Sequence, residues 1–190
     1  MEWSLVNGFV GATRPASVIK QPVKETYKYL IFCILMQNAK KSIQVQSKLR
    51  VTEKELKRVL SESAFARIYH FKLRSFSSGT CTLLVPFMKS MERPGGIVAG
   101  AIFMTAADVA MWLAIMTQLG SDAVSVTSEM TTAFLNPARE ENVCCTASLL
   151  KLGKSRIYGV AECKNEAGRL LTHHTLTYAL IHRGQKHKKN

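Results

Sequence analysis

Acidic residues are scarce in this chain: 13 Asp and Glu stand against 26 Lys and Arg over 190 residues. The shortage is uneven. Residues 1–60 carry 11 bases and 4 acids, residues 61–182 carry 11 and 9, and the last eight carry four bases and no acid. Basic ends around a near-neutral middle adhere to polyanions in general without forming a specific site. No nucleic-acid-binding motif accompanies the charge, so no specific nucleic-acid function is expected. Cys-x-x-Cys pairs are absent as well. Cys33, Cys81, Cys144, Cys145 and Cys163 are odd in number and two are adjacent, which fits neither a disulfide framework nor a zinc site. The pattern suits a reducing compartment. Cytoplasmic location is expected, with the mitochondrial matrix as the alternative, because Glu2 and Glu25 are the only acids in residues 1–50. Nothing resembles a Ser/His/Asp triad, a phosphate loop or a metal-ligand cluster, so no metal is expected.

Long apolar runs are few. Tyr29–Met36 is too short to span a membrane, and no small-residue cleavage site follows it. Ile97–Leu119 is long enough, but Asp108 at its centre would cost roughly 2.5–3.5 kcal/mol on insertion. A buried core helix is the expectation. Glycines lead into this run, and small and apolar residues fill it on every side. A helix apolar all round is enclosed by other elements. A carboxylate in such a helix needs a compensating interaction or a task.

The pattern on either side predicts an α+β domain. Residues 1–51 form a basic, poorly ordered extension, with a short helix around Glu25–Ala39. The domain covers residues 52–182, and residues 183–190 are a basic tail. Thr52 and Glu55 have capping-box spacing, which starts an amphipathic helix over Glu53–Leu60. Strands are predicted over Tyr69–Arg74 and Thr80–Phe87 around a turn at Ser77-Ser78-Gly79. Pro94-Gly95-Gly96 precedes the long helix and Gly120 ends it. Ala123–Phe134 alternates, with Val124, Val126, Met130 and Phe134 on one face and Ser125, Thr127, Glu129 and Thr131 on the other. Asn142–Leu152, Ser155–Lys164 and Arg169–His182 complete a run of hairpin-linked, hence antiparallel, strands. The sheet can cover one side of the helix. Curling of the sheet or a second subunit must cover the rest.

This arrangement resembles the hot-dog fold, a curved antiparallel sheet wrapped around one long central helix. Within that fold, Thr52–Ile181 looks like the acyl-CoA thioesterases of the phenylacetate-pathway, PaaI-like type. The family has His-Gly-Gly, six residues, then Asp. Here Ala99-Gly100-Ala101 stands at the first place and Asp108 at the second. Thr127, Phe134 and Pro137-Ala138 keep the later spacings, as do residues 152–156 and 165–170. Three departures stand out: the motif histidine is Ala99, the motif's second glycine is Ala101, and the polar residue usually found before the histidine corresponds roughly to Arg93.

The resemblance implies hydrolysis of an acyl-CoA to a carboxylic acid and CoA, with no cofactor beyond the CoA of the substrate. It also implies a homodimer or a dimer of dimers, with the threonine at position 127 delivered by the partner subunit. Free N–H groups at the helix start, with close approach allowed by Gly100, suit a thioester oxygen. Asp108 is then the general base or the nucleophile, and Thr127 orients water. Arg93, Gly96, Ala99 and Pro137 are expected beside the substrate. Arg139, Lys154 and Arg156 are candidates for the phosphates of CoA. Phe103, Met104, Met111 and Trp112 either line an acyl tunnel or belong to the core. His173 and His174, being adjacent, point to opposite faces and read as structural. With Ala99 in place of histidine, a non-catalytic acyl-CoA-binding module is the main alternative. A hot-dog dehydratase or hydratase, which pairs a histidine with its carboxylate, is a weaker one.

Overall fold

The computed structural model describes residues 48–181. The expected extension up to residue 47, the helix around Glu25–Ala39 and the tail Arg183–Asn190 lie outside these residues.

Thr52 caps helix α1 (Glu53–Glu62) as its spacing predicts. The Glu55 amide donates to Thr52 Oγ1, and Glu55 Oε2 accepts from the Thr52 amide. Ser63 breaks this helix, and a one-and-a-half-turn helix that the sequence reading missed, α2 (Ala64–Tyr69), follows. Strands β1 (Lys72–Ser77) and β2 (Thr80–Val85) form a hairpin. A 3₁₀ turn (Lys89–Met91) leads to a two-residue ribbon of β3 (Glu92–Arg93) and β4 (Ile97–Val98), bent at Pro94-Gly95-Gly96. The sequence predicts only a break there. Helix α3 (Gly100–Leu119) is the long apolar helix. After it come β5 (Ser125–Phe134), β6 (Val143–Leu152), β7 (Arg156–Asn165) and β8 (Leu170–Leu180).

The six long strands form one antiparallel sheet in the order β1-β2-β6-β7-β8-β5, with α3 packed on one face. Alternate residues from the central strands meet the helix: Cys81 and Leu83, Cys145 and Ala147, Ile157 and Ala161, Leu176 and Tyr178. By length and apolarity α3 passes as a membrane span, yet two-thirds of it is enclosed by the rest of the fold. Its far end is tied down by hydrogen bonds. Thr117 Oγ1 accepts from the Gly79 amide at 2.7 Å, and the Thr117 carbonyl accepts from the Arg50 amide at 2.9 Å. Phe65 of α2 packs edge-on against Trp112, so the small helices cover part of what the sheet leaves bare.

One stripe of α3 stays open. Ala101 and Met104 are exposed, and Thr105, Asp108 and Trp112 are half-buried. These positions follow each other at three- and four-residue steps and so share a face. Asp108 therefore sits on the one uncovered side of an otherwise buried helix, which answers the question posed by a carboxylate in an apolar run.

The face assignment for β5 needs correction. Pairing with β8 slips between Thr127 and Glu129, placing a bulge at Ser128. Thr127 pairs with Tyr178 before the slip, and Met130 and Phe134 pair with Leu176 and Thr172 after it. Since Tyr178, Leu176 and Thr172 all face the helix, Thr127 joins Met130 and Phe134 on the inner face, and Val126 turns outward. Strict alternation puts them the other way round because it has no place for the extra residue. β5 is also an edge strand, exposed along most of its length.

Candidate active site

Three side chains from three elements converge at the middle of α3. Asp108 Oδ1 accepts hydrogen bonds from Thr127 Oγ1 and from the Tyr178 hydroxyl, each 2.6 Å away. The Tyr178 hydroxyl also lies 2.8 Å from the Asp108 main-chain carbonyl. Among the described residues no hydrogen bond falls on Oδ2. Burial foremost, and then the neighbouring Asp108 carboxylate, push the Tyr178 phenol above its ordinary range. Tyr178 thus keeps its proton and serves as a fixed donor. Sequence reasoning missed this residue. The available signal is its position, since Tyr178 stands opposite the threonine once the bulge is allowed for.

The resemblance assigns that threonine to a second subunit. The structure corrects this: the Thr127 that reaches Asp108 is the chain's own, carried there by the β5–β8 pairing.

A second group of residues surrounds the start of α3. An open cleft of about 320 Å³ is lined by Arg93, Ile97, Gly100, Phe103, Phe134 and Pro137, among others. Ala99 is the N-cap and has no side-chain capping bond. Its amide donates to the Met91 carbonyl, and its own carbonyl accepts from Ile102. The amides of Gly100 and Ala101, in the first turn, have no intrahelical acceptors. They carry the positive end of a 20-residue helix. A Cβ on Gly100 would lie 2.9 Å from Phe134 Cε1 and 3.0 Å from Cζ, so the aromatic ring rests on the bare backbone.

The predicted residues therefore separate into two clusters. Arg93, Gly100 and Pro137 line the cleft, with Ala99 and Gly96 on the backbone leading into the helix. Asp108 and Thr127 lie further along. Gly100 and Asp108 are eight residue steps apart along the α-helix, an axial rise of about 12 Å. One thioester carbonyl, with reacting atoms about 3–3.5 Å apart, cannot span that interval. Gly100 and Asp108 of one chain therefore do not face the same substrate atom.

The remaining candidates are placed differently. Arg139 Nη1 donates to the carbonyls of Gly95, at 2.6 Å, and Gly96, at 3.2 Å. Lys154 lies exposed in the β6–β7 turn. Arg156, next to the inward-facing Ile157, is on the outer face of the sheet. Neither lines the cleft. Of the tunnel candidates, Phe103 borders the cleft, Met111 is wholly buried in the core, Trp112 packs on Phe65 and Met104 is exposed. His174 is fully buried between Thr132 and Thr172 at 2.9 and 2.7 Å, which is a structural arrangement. Among the described residues, no group of three or more His, Cys, Asp or Glu side chains is placed to hold a metal ion.

Residues 95–172 match the sequence profile of the thioesterase superfamily, and the sheet-and-helix architecture is shared with solved members. The domain has the hot-dog fold, and its stretch 95–172 is similar to the thioesterase superfamily. A Thermoplasma acidophilum protein, an esterase by unproven assignment, is 29% identical over 104 residues, which span 55% of this chain and 78% of its own. Among solved structures, zebra fish thioesterase superfamily member 2 is 26% identical with a TM-score of 0.61, covering 71% of this chain and all of its own. A Haemophilus influenzae thioesterase (20% identity, TM-score 0.67, 74% of this chain and 99% of its own) shares the fold. So does the E. coli PaaI protein of the phenylacetic acid degradation operon (18%, 0.63, 68% and 92%). The superfamily match takes in Gly100, Asp108, Thr127 and Phe134 but stops short of Tyr178.

Proposed function

We propose that this protein hydrolyses an acyl-CoA thioester, with Asp108 as its reacting carboxylate. The observation that carries the reading is the asymmetry at Asp108. Two hydroxyls fix Oδ1, and among the described residues no hydrogen bond falls on Oδ2 of this half-buried side chain. As general base, Oδ2 takes a proton from water, the new hydroxide adds to the thioester carbon, and the C–S bond breaks. The thiolate of CoA then recovers the proton from Asp108. As nucleophile, Oδ2 adds to that carbon directly, expels the thiolate and forms an anhydride that water opens. The first-turn amides at Gly100 receive the charge that develops on the carbonyl oxygen.

Because about 12 Å of helix separates these amides from Asp108 in one chain, the working site takes Gly100 from one subunit and Asp108 from another. The open α3 stripe and the exposed β5 edge are the surfaces a second copy would cover. In this reading the dimer interface is the active site.

The test is CoA release from a panel of acyl-CoAs by the wild type and Asp108→Asn. A loss of about a hundredfold or more is expected for the variant. Equal rates would remove Asp108 from the mechanism, and tight acyl-CoA binding without turnover would favour the non-catalytic module. Mixing Asp108→Asn with Gly100→Val subunits addresses the shared site. Recovery of activity in the mixture is expected, and none is expected if each chain holds a complete site.

A further inference from the structure

We propose that Arg139 is a positioning residue, holding the Gly95–Gly96 backbone and through it the first turn of α3, rather than a ligand of the phosphates of CoA. The inference rests on the thioesterase reading above, since it concerns the amides that receive the carbonyl oxygen there.

A single guanidinium nitrogen, Arg139 Nη1, meets both the Gly95 and the Gly96 carbonyls. The two glycines have φ of 95° and 66°, in the left-handed region that glycine tolerates and other residues rarely adopt. Backbone of this kind has no sheet or helix partner to hold it, so the charged side chain supplies one. The residue before Arg139 continues the same connection: the Ala138 carbonyl accepts from the Val98 amide at 3.0 Å. On the opposite side the Met91 carbonyl accepts from the Ala99 amide at 2.8 Å. The segment leading into α3 is therefore strung between Met91 and the 138–139 pair.

That pair is itself anchored. Arg169, in the β7–β8 turn, donates to the Pro137 carbonyl at 3.2 Å and pairs with Glu141 at 3.2 Å. A path of hydrogen bonds and backbone thus runs from the β7–β8 turn through residues 137–139 to Gly95, Gly96 and Val98, just before the amides at Gly100. Oxygen-binding donors act only within a few tenths of an ångström of the right place, and a misplacement of about 1 Å costs about a hundredfold in rate. Arg139 governs that placement without touching the substrate. Arg93, on the cleft wall, is then the cation left to face a substrate anion.

The experiment compares wild type, Arg139→Lys and Arg139→Ala on two thioesters of one acyl group. One is the CoA ester. The other is the N-acetylcysteamine ester, which lacks the phosphates. Hydrogen exchange of the Val98 and Ala99 amides is followed alongside. In Arg139→Ala, kcat is expected to fall at least about tenfold on both esters, with KM for the CoA ester nearly unchanged. Exchange at the two amides is expected to accelerate by about tenfold. Arg139→Lys, which offers a point charge in place of a planar fork, falls between, and it carries the test if the alanine variant does not fold. A rise in KM confined to the CoA ester, with kcat and exchange unchanged, overturns the proposal and makes Arg139 a phosphate ligand. If the wild type cleaves neither ester, the thioesterase reading fails by itself. The exchange arm then decides for Arg139, and unchanged exchange overturns it.

Discussion

Thr127 and Tyr178 are cross-strand partners whose hydroxyls meet the same oxygen of Asp108. Sheet pairing thus builds the carboxylate's surroundings in a single step. Removing either hydroxyl leaves the other in place, so Thr127→Val and Tyr178→Phe are each expected to lower kcat by about tenfold or more, as loss of one oriented donor does. Thr127→Ser, which keeps the hydroxyl, is expected to stay within severalfold of wild type. Steady-state rates on one acyl-CoA check this. Full activity in Thr127→Val would show that the bond is structural.

Two glycines that both face crowded space are expected to respond differently to a methyl group. On Gly159 it would meet the Ser148 carbonyl at 2.6 Å and Met111 Cε at 2.5 Å, and the carbonyl belongs to a paired strand that cannot yield. Gly159→Ala is expected to cost about 2–3 kcal/mol of stability, the range of core overpacking. On Gly100 the obstacle is the Phe134 ring, which is 57% exposed and free to swing. Gly100→Ala is therefore expected to change stability by about 1 kcal/mol or less while impairing turnover. Denaturant melts beside rate measurements separate the two.

Alkaline pH is expected to destabilise the fold in a defined window. Burial pushes the Cys81 thiol from 9.0 up to about 12, and the Tyr178 phenol is raised from 10.0. Both groups hold their protons longer in the folded chain than in the unfolded one. Their contribution is complete below the unfolded values and is lost as pH climbs from about 9 toward the folded ones, at about 1.4 kcal/mol per pH unit per proton. Urea melts between pH 8 and 11 measure the slope. Cys81→Ala should flatten it from about pH 9, and Tyr178→Phe from about pH 10. An unchanged slope in both would count against these assignments.

His174 is expected to matter for folding and not for catalysis. It is fully buried and satisfies both Thr132 and Thr172. His174→Leu leaves two hydroxyls seeking partners, Thr172 inside the core, and is expected to cost about 2–4 kcal/mol. Its kcat per folded molecule should match wild type. A selective loss of kcat with stability intact would give the imidazole a chemical role.

The fold was legible because its signals are strong and local. The apolar run marks α3, Thr52 and Glu55 mark a cap, and short turns mark antiparallel hairpins. Asp108 stood out because a carboxylate in such a helix demands an explanation. What stayed hidden depends on pairing. Tyr178 looks like any other tyrosine in a strand until β8 is set against β5. Arg139 is a cation in a loop, and nothing in its neighbours tells a backbone carbonyl from a phosphate as its acceptor. The face that Arg156 takes depends on strand parity, which decides whether a side chain meets the helix or the solvent.

The bulge at Ser128 makes the length of β5 a functional quantity. Thr127 and Phe134 are an odd number of positions apart in sequence, so a regular strand would send them to opposite faces. With the bulge, one strand presents Thr127 to the carboxylate and Phe134 to the start of the helix. Deleting Ser128 would remove no atom from either contact, yet it would force a choice between them. A chain one residue shorter could keep its fold and hold only one half of its site.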